Sequence, residues 1–202
     1  MKNKVFAILT VLILAVATNG FAAETLSFAG LTWTQVDDVW QVTDSGLVNA
    51  GTASTNTHIF APLDQTGNIL TYTWTIYFGD TASTTSGPMA GLHLFVTDPW
   101  NAGRGDSLLI FQDQNRLVLY EGVNGTLPGA YRLEVTEAKV TVGETHSYKA
   151  VVNTVSGAVE IYRDEQFLYT WQPKNPIPDG SYISFRTNRT IAMLMDFSFS
   201  SK

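Results

Sequence analysis

A glycosidic bond is cleaved by two carboxylates that flank it, and on one strand such a pair must sit an even number of residues apart to share a face. This chain does not space its acids that way. Glu134 and Glu137 are three apart and diverge on an extended segment, and the adjacent Asp37 and Asp38 diverge as well. Glu160 and Asp164 share a parity, but Asp164 falls in a turn. A catalytic pair would have to come from separate strands, and the plainer role of these acids is a solvated surface.

Other chemistry has ordinary readings beside it. "GDSL" at Gly105 to Leu108 spells an esterase signature, yet Ser107 runs into the apolar "LLIF" and no Asp-x-x-His follows. Ser107 reads as the first residue of a strand. The overlapping "RGD", Arg104 to Asp106, lies in a stretch expected to be an exposed loop, and three letters alone do not argue adhesion. His58, His93 and His146 are scattered without paired ligand spacing, which argues against zinc. Asp98, Asn101 and Asp106 share one loop, and hard oxygen ligands of that kind suit calcium. As turn formers, Asp98 and Asp106 also have a role that needs no metal.

Sugar binding needs a flat aromatic platform and a few polar groups that fix orientation. Trp100, in "DPWN", sits in a Gly-flanked loop where a core role is not expected. His93 alternates with Leu92 and Leu94, and Arg186 alternates with Ile183 and Phe185, so both point away from the core, into what is expected to be one groove. Tyr77 and Tyr120 are candidates of the same kind. Trp33, Trp74 and Trp171 lie in or beside alternating strands and are expected in the core.

The elements that must position these residues read as strands. "TYTWTIYF" places Tyr72, Trp74, Ile76 and Phe78 on one side and Thr71, Thr73, Thr75 and Tyr77 on the other. "SLLIF" and "RLVLY" form a hairpin. "SYKAVVNTVSGAVEIYRDEQFLYTW" reads as a three-stranded meander, with Phe167, Tyr169 and Trp171 on one face. "IAMLMDFSFS" is expected to carry Met193, Met195, Phe197 and Phe199 on one face. No segment after the N-terminal run has a 3.6-residue period. Short strands with Gly, Pro, Asn and Asp between them indicate an all-β, two-sheet antiparallel β-sandwich.

The first 23 residues read as a signal peptide: Lys2 and Lys4, an apolar run from Val5 to Ala17, then the small residues Gly20 and Ala22. Residues 24–202 form the domain, and the expected location is secreted or periplasmic. Losing Lys2 and Lys4, with no acid lost, takes the formal net charge from −6 to −8. An acidic chain with no basic patch is a poor partner for nucleic acid or an anionic membrane surface. With no cysteine, stability comes from packing or bound ions rather than disulfides.

The order of these pieces resembles the concanavalin A-like lectin/glucanase superfamily, in particular its laminin G-like and keto-disaccharide-hydrolase-like jelly rolls. A Trp-rich opening with "DSGLVNAG" precedes a long strand. "GLHLFV", a hairpin, the ribbon "YKAVVNTVSGAVEIYRDEQFLYTW", "GSYISFRT" and "MDFSFS" follow. Where relatives often carry Asn-Gly or Asp-Gly in the second turn of the ribbon, this chain has Asp164-Glu165-Gln166. The resemblance implies two curved sheets with ligand on the concave face or rim loops, a polar role for Arg186 and Asn188, and calcium on a rim loop. The expected function is an exported, lectin-like domain that binds oligo- or polysaccharide without cleaving it. The alternatives are a glycoside hydrolase of the keto-disaccharide-hydrolase kind and a protein-binding surface module.

Overall fold

The computed structural model describes residues 23–37, 39–50, 56–81, 87–101, 104–113, 115–128, 131–135 and 138–202. The N-terminal apolar run, Asp38 and Glu137 lie outside the described residues. The described strands are β1 (Thr25–Phe28), β2 (Leu31–Gln35), β3 (Trp40–Thr43), β4 (Gly46–Asn49) and β5 (Asn56–Pro62). The long β6 (Ile69–Thr81) leads to β7 (Ala90–Val96), β8 (Ser107–Gln112), β9 (Leu117–Gly122) and β10 (Arg132–Val135). The chain closes with β11 (Thr145–Asn153), β12 (Val159–Arg163), β13 (Gln166–Trp171), β14 (Tyr182–Asn188) and β15 (Thr190–Ser201).

These strands build one eight-stranded sheet, β1-β2-β5-β14-β7-β8-β9-β10, and one seven-stranded sheet, β13-β12-β11-β6-β15-β4-β3. All pairings are antiparallel. No α-helix occurs among the described residues. The fold is therefore an all-β jelly-roll sandwich. Its core lies between the sheets. β6 supplies Tyr72, Trp74, Ile76 and Phe78, all buried, and its threonines face outward. Trp74 stacks on Tyr148 of β11 at 5.6 Å with the rings 14° apart. Trp33 and Trp171 are also core residues, as expected. Each such side chain contributes roughly 2–3 kcal/mol through burial.

Period two fails where a strand takes an extra residue. In β15 the register shifts between Leu194 and Asp196, so Ala192 and Leu194 face inward and Met195 is exposed. The expected Met193, Met195, Phe197 and Phe199 face is thereby split. The same happens in the ribbon. Ile161 pairs with Tyr169 but Tyr162 pairs with Phe167, so Leu168 is the extra residue. Phe167 turns outward against Tyr162 at 5.6 Å while Trp171 stays inside. A bulge inverts the parity of everything beyond it. The β12–β13 turn puts Asp164 (φ 51) and Glu165 (φ 65) in the left-handed region, as a two-residue hairpin turn demands. Asp164 Oδ1 accepts from Ser147 N at 3.0 Å, which helps hold the turn in that conformation.

Buried amides join the two sheets. Gln65 Nε2 donates to Gly180 O (2.8 Å) and Tyr182 O (3.1 Å), and its Oε1 accepts from Tyr72 Oη (3.0 Å) and Phe95 N (3.1 Å). Gly180 must lack a side chain, because a Cβ there would lie 2.1 Å from Phe95 O. Gln112 on β8 accepts from Tyr148 Oη at 3.0 Å. Asn49 on β4 donates to Thr187 Oγ1 of β14 at 2.8 Å. Burial raises the Tyr72 and Tyr148 phenol pKa values, so both remain protonated donors. Gln65→Leu leaves four buried groups without a partner and should cost about 4 kcal/mol, against about 1 kcal/mol for Tyr72→Phe. Urea unfolding of the two variants checks this; equal losses would show that the amide is replaceable.

Candidate functional site

The register of the eight-stranded sheet lines up two rows of side chains on the face turned away from the core. One row runs Phe60, Ser184, His93, Leu109, Tyr120, Arg132 from β5 to β10. The other runs His58, Arg186, Gly91, Phe111, Val118, Glu134. Gly91 has no room for more, since a Cβ would lie 2.2 Å from Ile110 O. Arg186 leans toward β8 and sits 5.8 Å above the Phe111 ring. Arg132 lies 5.5 Å over the Tyr120 ring.

Part of this face is covered by the β7–β8 connection. Thr97 N donates to Asp106 O, and Asp106 N to Thr97 Oγ1, which closes the loop at its base. His58 Nε2–H donates to Pro99 O at 3.0 Å and ties the loop to β5. Arg104 (φ 69) turns inward, donates from Nη1 to Asn101 O, and is only 2 % exposed. The RGD triplet thus hides its arginine, and the expected exposed loop is corrected at that residue. Beneath lies His93, fully buried, with Nδ1 3.1 Å from Ser107 Oγ. His93 Nε2 and Ser184 Oγ, cross-strand neighbours, are buried without hydrogen-bond partners. The Ser107–His93 contact has the look of a nucleophile and base, but neither group reaches solvent and no carboxylate bonds the ring.

Beyond the covered part, a groove of about 270 Å³ opens over β7–β10 and β14. Leu109, Phe111 and Val118 line it, and Tyr120, Arg132, Arg186 and Asn188 also border it. Arg116 and Asp113 complete its polar side. Arg116 bonds Asp113 at 3.1 Å and Glu134 at 2.6 Å, and Arg132 also pairs with Glu134. Among the described residues Asn188 Nδ2 donates to the Met89 sulfur, at 3.9 Å.

Of the residues singled out in the sequence, Tyr120, Arg186 and Asn188 meet in this groove. Trp100 is 58 % exposed on the loop and packs edge-on to Phe60 at 5.0 Å. Phe60 and Tyr120 end four strand spacings apart, about 19 Å. His93 shares the face but lies buried under the loop. Tyr77 lies elsewhere, on the outer face of the seven-stranded sheet with Thr73 and Thr75. Asp98 Oδ1 accepts from Trp100 N (3.2 Å) and Asp106 Oδ1 from Asn124 N (2.6 Å), while Asn101 packs on the 123–126 turn at Gly125. These are turn-building bonds. Among the described residues no three His, Cys, Asp or Glu side chains group to hold a metal. Arg132 was missed because β10 lies in the Gly- and Pro-rich "EGVNGTLPGAYRLE", which reads as loop, and Asp113 and Arg116 because they sit in the β8–β9 turn, which reads only as a reversal. A larger cleft of about 700 Å³, lined by residues of 64–67, 154–157 and 172–181, lies at the opposite end of β14 and collects turn residues rather than a convergent polar set.

This architecture is that of the concanavalin A-like jelly rolls. The carbohydrate-binding module CBM66 from Bacillus subtilis matches with a TM-score of 0.61 at 16 % identity, over 84 % of this chain and 95 % of that one. The Emp46p carbohydrate recognition domain, in a potassium-bound form, matches at 0.57 and 13 % identity, over 83 % and 87 %. A protein from Parabacteroides distasonis, assigned by name only to the glycosyl hydrolases, matches at 0.57 and 15 %, over 84 % and 88 %. No protein-family model matches the chain. No curated protein matches its sequence.

The covered face makes a pH prediction. Burial, then the Arg104 charge, lowers the His58 pKa from 6.5 to about 4, against the Pro99 hydrogen bond and Asp37, which act to raise it. Burial and the Arg104, Arg186 and His58 charges push His93 down as well. Below pH 6.5 the unfolded chain takes up protons that the folded chain refuses until about pH 4. Stability is therefore fully present above pH 6.5 and falls as pH drops through that window, by about 3 kcal/mol for His58 alone. Urea midpoints at pH 7, 5.5 and 4.5 should decline in order, and His58→Gln should flatten the decline. A constant midpoint in the parent protein would show that the fold tolerates both imidazolium ions.

Proposed function

We propose that this is an exported carbohydrate-binding domain that holds its saccharide without cleaving it. The observation that carries the reading is the groove: an apolar floor with Tyr120 at its edge, ringed by the polar ends of Arg186, Asn188 and Arg132. That combination suits a sugar ring, which presents C–H faces and hydroxyls together. Two of the similar structures are named for carbohydrate binding or recognition, which supports the same reading. Trp100, on the same sheet face, serves as a second platform for an extended chain.

The likeness to a protein named as a glycosyl hydrolase favours a second reading, hydrolysis. A hydrolase would need two carboxylates flanking the bond. Among its described lining residues the groove has one, Asp113, and Arg116 holds it in an ion pair. Export rests on the N-terminal sequence, and N-terminal sequencing of protein recovered from outside the cytoplasm should begin at residue 23 or 24.

A glycan array should give signal for the mature protein. Tyr120→Ala should weaken it at least 10-fold and Trp100→Ala by a smaller factor for long chains, with no reducing sugar released. Absence of signal on every glycan would overturn the reading, and release of reducing sugar would replace it with hydrolysis. Calcium on the β7–β8 loop is tested in the same assay. The turn-building bonds of Asp98 and Asp106 predict that EDTA leaves binding unchanged. Loss on EDTA, restored by calcium, would give Asp98, Asn101 and Asp106 the ligand role instead.

A further inference from the structure

The groove is cationic in a chain whose formal net charge is −6. Arg116 and Arg132 are answered by Asp113 and Glu134. Arg186 is not: among the described residues it makes no ion pair and no hydrogen bond, and its Nε is buried without an acceptor. Below it on the same face lie Arg104, a second cation, and His58 and His93, which burial keeps neutral, so none of the three offsets its charge. A guanidinium partly withdrawn from water without a counter-charge is destabilised. A fold carries that cost readily where a ligand supplies the missing charge.

The side chains at the mouth of the groove point the same way. Each group around the mouth can donate: the Arg186 fork, which can do nothing else, the Tyr120 hydroxyl and the Asn188 amide nitrogen. Phe111 holds the guanidinium at its face, which leaves the planar fork to meet a planar acceptor.

We propose that the saccharide is acidic, with a ring carboxylate taken by Arg186 and flanked by Tyr120 and Asn188, while the ring's C–H face rests on Leu109, Phe111 and Val118. This rests on the carbohydrate-binding reading and narrows it. A carboxylate fits a guanidinium fork with two parallel hydrogen bonds, which a neutral hydroxyl does not.

Titration calorimetry with uronate-bearing oligosaccharides, each matched to its carboxyl-reduced counterpart and to a sulfated neutral one, tests it. At least one uronate should bind 10-fold or more tightly than its reduced match. Arg186→Gln should abolish that ratio, and Arg186→Lys should retain part of it. Raising NaCl from 50 to 500 mM should weaken uronate binding to the parent protein and leave neutral binding unchanged, a readout that needs no variant to fold. Equal affinity within every matched pair overturns the acidic assignment and leaves carbohydrate binding standing. Tighter binding of the sulfated ligands overturns the carboxylate in favour of a sulfate ester. No binding to any member, acidic or neutral, removes the carbohydrate reading itself.

Discussion

Two apolar sheets pressed together have a strong reason to associate and a weak reason to stop at one alignment, because hydrophobic attraction has no direction. Buried amides supply the direction here. Gln65 spends both donors and its acceptor oxygen on four groups, one from the seven-stranded sheet and three on or beside strands of the other. Gln112 and Asn49 do the same at other points along the sandwich. The bond from Phe95 N has the most consequence. Phe95 sits at φ 54 where β7 bulges against β14, and this fixes where β7 ends and how the loop to β8 departs. That loop covers His93 and carries Trp100. The site is thus held by a packing detail in the core rather than by contacts at its own surface.

The eight-stranded sheet carries the candidate site on its outer face. β7 and β8 are buried at every position, so they are covered on both sides, by the other sheet and by their own loops. Strands buried on both faces read as unbroken apolar runs, which is how "GLHLFV" and "SLLIF" look. The seven-stranded sheet keeps one wet side, with Thr73 bonded to Ser198 across strands. Polar residues placed on the covered face are few, and a buried polar group without a partner, such as Ser184 Oγ, is the exception. His58 found Pro99, and Arg186 faces the groove.

Much of this was legible in sequence because period two is a local property. β6, the meander and the β8–β9 hairpin follow directly from alternation, and so does the outward direction of His93 and Arg186. Three kinds of information were not local. Bulges at Met195 and Leu168 invert parity, and nothing in "AMLMDF" or "EQFLYT" marks them. Sheet membership is set by long-range pairing, so Tyr77 and Arg186, both pointing out of the core, emerge on opposite sides of the molecule. Depth is set by loops, so His93 points the expected way yet lies beneath the cover. Arg132 was lost for another reason: a four-residue edge strand amid Gly and Pro carries too little alternation to stand out.

The balance of donors and acceptors in the groove bears on what kind of ligand it accommodates. A neutral sugar hydroxyl is both donor and acceptor, and a site built for it usually offers both. Arg116, Arg132, Arg186 and the Asn188 amide nitrogen can only donate, and among the described lining side chains Asp113 is the charged acceptor, already held by Arg116. For a neutral ring the Tyr120 and Asn188 oxygens are the neutral side-chain acceptors, against three guanidinium donors. An acceptor-rich group avoids that mismatch and gains from the low dielectric that makes the unpaired Arg186 costly. A carboxylate pair of the hydrolytic kind would have to work against the same field, and among the described lining residues Asp113 is the acid present.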